Sequence, residues 1–186
     1  MLKHKCQTMK QVIAYIGFTL LFILLLYYKQ LNEHDLILDA IVSIGLMAGF
    51  YWKYDTLKQD NWSSLALFAA VILHNTHLYG SAPFGIRFDH YMHYFAGFAI
   101  AIVVDRYFYE RLTKLQRFIL LSLTALGLGA IGEIAEWLGY GILGSGKGFF
   151  YYGIGDEGEW RNAVLDMIFD LAGGLTMAVI SFLRKK

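Results

Sequence analysis

Long apolar stretches alternate along the chain with short clusters of charge, and this alternation predicts membrane-spanning helices rather than a soluble fold. A helix needs roughly 17–25 mostly apolar residues to cross a hydrocarbon layer about 30 Å thick. Six stretches reach about that length, at residues 12–28, 36–54, 63–79, 88–104, 118–143 and 162–183. The connections between them are too short to hold a separate soluble domain. The expectation is an all-α, polytopic transmembrane bundle of about six helices, forming one integral-membrane domain over residues 1–186.

Composition agrees with this reading. Of the 186 residues, 57% are apolar and 17% charged, against roughly 45–50% and about 25% in an average soluble domain. The single cysteine, Cys6, excludes an intrachain disulfide and a cysteine-built metal knot. Trp52, Tyr54, Trp62 and Tyr79 stand at predicted span ends, where aromatic rings suit the membrane interface. The first span follows Lys3, Lys5 and Lys10 but ends in Tyr27, Tyr28 and Lys29 rather than in small residues, which favours a retained anchor over a cleaved signal.

The net charge of +1 gives no reason to expect a nucleic-acid partner. The distribution of charge says more than its sum. Twelve of the sixteen Lys and Arg fall in the two tails and in the second and fourth connections. The other four, Lys29, Arg87, Lys147 and Arg161, lie on the opposite side. By the positive-inside rule both termini are cytoplasmic. Small residues at helical spacing, Ala125 with Gly129 and Gly141 with Ser145, predict close helix packing by the fifth span.

Ionisable residues within membrane helices are costly, and each is by default a functional candidate. Here they gather. In the outward half of the predicted topology, span three carries His74, Asn75 and His77, and span four carries Asp89, His90 and His93. Span five carries Glu133 and Glu136, and span six carries Asn162, Asp166 and Asp170. Their spacings of three and four residues put each set on one helical face. The connection over residues 144–160 adds Asp156, Glu157 and Glu159 in a glycine-rich loop that could fold over the site.

Imidazole nitrogens and carboxylate oxygens from facing helices are the ligand set of Zn, Mn or Fe sites in helical bundles. His90, His93, Glu133, Glu136, Asp166 and Asp170 are the candidate ligands. Asp89, His93, Glu133, Glu136, Asp166 and Asp170 are the candidate catalytic groups, with Asp89 placed to orient His93. Closely spaced buried carboxyls could equally serve as general acids or a proton relay. Hydrogen bonding between helices is the competing role, especially for His74, His77 and His90 taken singly, and Arg87 or Arg161 could neutralise an acidic neighbour. Asp39 stands alone in span two and reads as a helix-packing carboxyl. His4 and His34 carry no signal. No phosphate-cradling glycine loop, Gly-x-Ser-x-Gly or His-Glu-x-x-His string is present.

The run Phe88-Asp89-His90-Tyr91-Met92-His93-Tyr94 with Gly97, the run Glu133-Ile134-Ala135-Glu136-Trp137, and Gly155-Asp156 leading to Asp166-Met167 resemble the YjdF-type family of bacterial inner-membrane proteins. The likeness covers spans four to six. The same blocks are also similar to the VanZ-like family, through Asp89, His93, Glu133, Arg161, Asp166, Asp170 and Gly173, with Asp170 where that pattern has Asn and Glu136 where it has Gln. What these resemblances imply is a small multi-pass protein of the inner membrane; they imply no particular reaction.

The functional expectation is a one-sided polar site for a divalent metal, acting by hydrolysis or group transfer on a lipid-linked or amphiphilic substrate among the membrane lipids. The alternatives are a proton-coupled transporter and a non-enzymatic assembly subunit. The apolar inner stretches at residues 99–104 and 118–123 count against a path through the membrane.

Overall fold

The structure is a computed structural model, and it describes residues 83–143 and 159–184 together with positions 16, 20, 45, 48, 63, 66, 67, 69 and 70. The chain forms two compact units, Met1–Thr76 and His77–Lys186. In the first, every described position is helical, with Ser63 and Ala70 buried and Ile16 and Leu20 exposed. The rest of the first three predicted spans, with Asp39, His74, Asn75 and His77, lies outside the described residues.

The second unit contains a short 3-10 turn, Pro83–Gly85, followed by three helices: α1 (Phe88–Phe108), α2 (Lys114–Leu143) and α3 (Glu159–Leu183). Among the described residues there is no strand. The helices have 21, 30 and 25 residues, or about 32, 45 and 38 Å at 1.5 Å per residue. Segments Lys114–Leu138 and Trp160–Leu183 are long and apolar enough to cross a membrane. α1 carries Asp89, Asp105 and Arg106 within a similar length.

All three helices continue beyond the predicted spans. The apolar run stops at Asp105, begins only after Arg117 and begins again after Arg161, whereas backbone hydrogen bonding is indifferent to side-chain charge. The α1–α2 turn shows what starts α2. Thr113 Oγ1 accepts from the Gln116 backbone N–H at 3.3 Å, and Gln116 Oε1 accepts from the Thr113 N–H at 3.0 Å. This reciprocal cap satisfies donors that have no partner within the helix.

α3 packs against both α1 and α2, which touch one another less. Glycines set the approach. A Cβ on Gly97 would collide with the backbone of Asp170, and one on Gly173 with the backbone of Tyr94 and Phe98, so α1 and α3 cross almost backbone to backbone. Gly174 meets Ala125 and Leu121 on α2 in the same way. The expected close packing at Ala125 and Gly129 is present. A Cβ on Gly141 would meet nothing within 4 Å among the described residues, and its expected partner Ser145 lies outside them. Gly141 is in the last turn of α2, beyond the crossing with α3.

Buried Ala101, Leu121, Met177 and Ala178 form an apolar layer between the helices. On either side of that layer polar side chains are buried, among them His90, Glu133, Asp166 and Asp170 towards one end and Asp105, Arg117 and Ser181 towards the other. Large apolar side chains such as Leu115, Ile119, Leu123, Ile131, Ile134, Trp137 and Ile142 on α2 point away from the other two helices. Polar groups inside and apolar groups outside is the arrangement that lipid selects.

Candidate functional site

Three helices bring the predicted polar residues together at one end of the unit. His90 and His93 are one turn apart on α1, and Asp166 and Asp170 are one turn apart on α3. Each histidine therefore meets an aspartate across the α1–α3 crossing. His90 Nδ1 lies 2.6 Å from Asp166 Oδ1, and His93 Nδ1 lies 3.0 Å from Asp170 Oδ2. The His90 ring is also stacked on Phe169, with centroids 5.5 Å apart.

The Asp170 carboxylate meets His93 through Nδ1, which turns Nε2 towards the interior; with Asp170 ionised and the imidazole neutral, that contact would hold the proton on Nδ1 and leave Nε2 as the acceptor. Nε2 lies 3.8 Å from Glu133 Oε1 and 3.7 Å from Asp166 Oδ1. These distances are too long for hydrogen bonds. They are near the separation of roughly 3.0–3.5 Å between neighbouring donors that each sit about 2.1 Å from one ion. Glu136, one turn along α2, completes a group with His93 and Glu133 in which one ligand atom from each lies within 4.8 Å of the others. Glu133 is 6% exposed, and neither of its carboxylate oxygens has a hydrogen-bond partner among the described residues. Such a group is expensive to bury unless a cation or proton compensates it.

A second set of bonds holds Asp166. Asn162 Nδ2 donates to Asp166 Oδ2 at 2.6 Å, and Asn162 Oδ1 accepts from Arg87 Nη1 at 2.7 Å. Among the described residues Arg87, at the start of α1, thus meets a neutral amide where the sequence suggested an acidic neighbour. Arg161 is exposed. The carboxylate within hydrogen-bond distance of His93 is Asp170; Asp89, the expected orienting group, is half-buried in the first turn of α1. The sequence spacing paired Asp89 with His93 along one helix, but the close α1–α3 crossing supplies a partner from across.

The structure therefore brings together His90, His93, Glu133, Glu136, Asp166, Asp170 and Asn162, with Asp89 on the same turn of α1 as His90. Asp156 and Glu157 lie outside the described residues. Sequence reasoning missed a second polar group at the opposite end, where Arg117 Nη1 lies 3.3 Å from Asp105 Oδ1 and Ser181 Oγ donates to the same oxygen. Its only signal is an acid at the end of an apolar run, with basic residues beyond the following turn.

No curated protein and no solved structure matches the chain. The family described as a predicted membrane protein, DUF2238, matches residues 11–186. That match spans nearly the whole sequence, and the chain belongs to this family of predicted membrane proteins.

Proposed function

We propose that His93, Glu133 and Glu136 hold a divalent metal ion of the Zn, Mn or Fe class, and that the protein is a metal-dependent membrane hydrolase or transferase acting on a lipid-like substrate. The observation that carries the reading is the convergence of those three ligand groups within 4.8 Å, with the second nitrogen of His93 hydrogen-bonded to Asp170. A ligating histidine held by a carboxylate through its other nitrogen is a recurrent feature of metal sites. Such an ion supplies a Lewis acid and a bound water of lowered pKa. Asp166, 3.7 Å from Nε2, is the further carboxylate in reach, and His90 and Asn162 fix its orientation.

A lipid-like substrate is favoured because the site is built on helices with apolar outer faces. In the same reading the site opens to the outer side of the inner membrane and both termini are cytoplasmic. The YjdF-type resemblance is compatible with the family match; the VanZ-like resemblance draws no support from it. A proton-coupled transporter is the second reading, favoured by the buried Asp105–Arg117 pair beyond the apolar layer. That layer, formed by Ala101, Leu121, Met177 and Ala178, supports a one-sided site over a continuous path.

The test is elemental analysis of the full chain purified without chelator, alongside His93→Ala and Glu133→Gln. About one equivalent of a transition metal is expected in the parent, with most of it lost in both variants. Metal-free protein whose thermal stability is unchanged by added Zn, Mn or Fe would overturn the proposal.

A further inference from the structure

The polar group at the other end of the three helices is separate from the site above. Asp105 is twelve residues beyond His93 on α1, about 18 Å along the axis. There Asp105, Arg117 and Ser181 are all at most 2% exposed, and they come from three different helices. The single carboxylate is heavily used. Its Oδ1 takes Arg117 and Ser181, and its Oδ2 lies 3.9 Å from Nη1 of half-exposed Arg184. One negative charge is thus shared by two guanidinium groups.

Asp105 meets Arg117 through Nη1 only, and the Nε and Nη2 of Arg117 have no hydrogen-bond partner among the described residues. The Tyr109 ring lies 4.3 Å from the Arg117 guanidinium and 5.8 Å from that of Arg184. A ring face attracts the cation but accepts no directed bond of ordinary strength. Lys114 Nζ, in the first turn of α2, sits 2.8 Å from the Phe182 carbonyl and adds a third positive charge nearby. An unsatisfied buried guanidinium next to surplus positive charge at a helix N-terminus calls for an anion with several acceptor oxygens.

We infer that Arg117, Arg184 and Lys114 form a binding site for a phosphate group, occupied in the membrane by the headgroup of an anionic phospholipid. The positive-inside count puts this end in the cytoplasmic leaflet, where anionic headgroups meet basic residues at helix ends. Arg184 is half-exposed and 3.9 Å from Asp105 Oδ2, so it is the guanidinium that a headgroup phosphate would meet first, with Arg117 behind it.

The experiment compares the full chain in bilayer discs of phosphatidylcholine alone, of phosphatidylcholine with phosphatidylglycerol, and of phosphatidylcholine with added inorganic phosphate. Melting temperature is the readout. Phosphatidylglycerol should raise it by about 4 °C or more, and Arg184→Gln, which alters a half-exposed side chain, should abolish most of that gain. Because Arg117→Gln alone leaves Asp105 short of a partner, the paired variant Asp105→Asn/Arg117→Gln is the second probe and should also lose the gain. Stabilisation by inorganic phosphate equal to that by lipid would keep the phosphate site but assign it to a soluble anion. The same gain in parent and both variants would overturn the site.

Discussion

The Asp170 carboxylate occupies the space that a side chain at Gly129 would fill: a Cβ built on Gly129 falls directly on Asp170 Oδ2, the oxygen that meets His93 Nδ1 at 3.0 Å. A glycine on α2 therefore determines whether a carboxylate on α3 can reach a histidine on α1.

Gly129→Ala is expected to push Asp170 off His93, lowering stability by about 1–3 kcal/mol as overpacking does and reducing metal content. Gly132→Ala is the control. A Cβ there meets nothing within 4 Å, and the change should be neutral or stabilising by up to about 1 kcal/mol. Thermal melting and elemental analysis of the two variants check this. Equal effects at the two glycines would show that the space at Gly129 does not matter.

Asp170→Asn keeps the shape of the side chain and an oxygen that can accept from His93, but removes the charge that makes the imidazole a better ligand. Metal affinity is expected to fall about 10–100-fold with the fold intact. Titration with Zn followed by calorimetry measures it. Unchanged affinity would mean that Asp170 only packs the helices together.

Asn162→Ala removes both the donor to Asp166 and the acceptor of Arg87. The expected loss is about 0.6–2 kcal/mol, the scale of hydrogen bonds between membrane helices. Arg87→Gln, introduced into the Asn162→Ala background, should then cost little more, because its partner is already gone. A double-mutant cycle on melting data gives the coupling; full additivity would exclude the relay from Arg87 through Asn162 to Asp166.

Removing one member of the buried pair, by Asp105→Asn or Arg117→Gln, strands a charge at a position at most 2% exposed. A cost of about 3–5 kcal/mol is expected for each, and less than their sum for the two together. Denaturation in mixed micelles tests this. Additive losses would mean that Arg117 draws its stability from Tyr109 rather than from Asp105.

The helices of the second unit were legible in the sequence, and the two that are long and apolar enough to cross a membrane, over Lys114–Leu138 and Trp160–Leu183, were so because lipid imposes a length and a polarity on any stretch that crosses it. The gathering of His93, Glu133, Asp166 and Asp170 was legible for a related reason: each is too costly in hydrocarbon to face outward, and helical spacing puts each set on one face. Partner choice was not legible. Asp89 stands four residues before His93 and was the natural candidate to orient it, but periodicity describes one helix at a time. The Asp105–Arg117 pair was hidden in the same way, since its members lie just beyond the ends of apolar runs, where charge is ordinary.

By itself the sequence determined a helical membrane protein with scarce charge sorted to particular helix positions, because span length and the cost of buried charge act locally along the chain. Only the tertiary structure decided that His93 pairs with Asp170, that Glu133 keeps a buried carboxylate with no hydrogen-bond partner among the described residues, and that Arg117 meets Asp105. Those outcomes depend on how closely and at what height α1 and α3 cross. The crossing is set by Gly97 and Gly173, residues that carry no chemistry of their own and act only by allowing two backbones to touch.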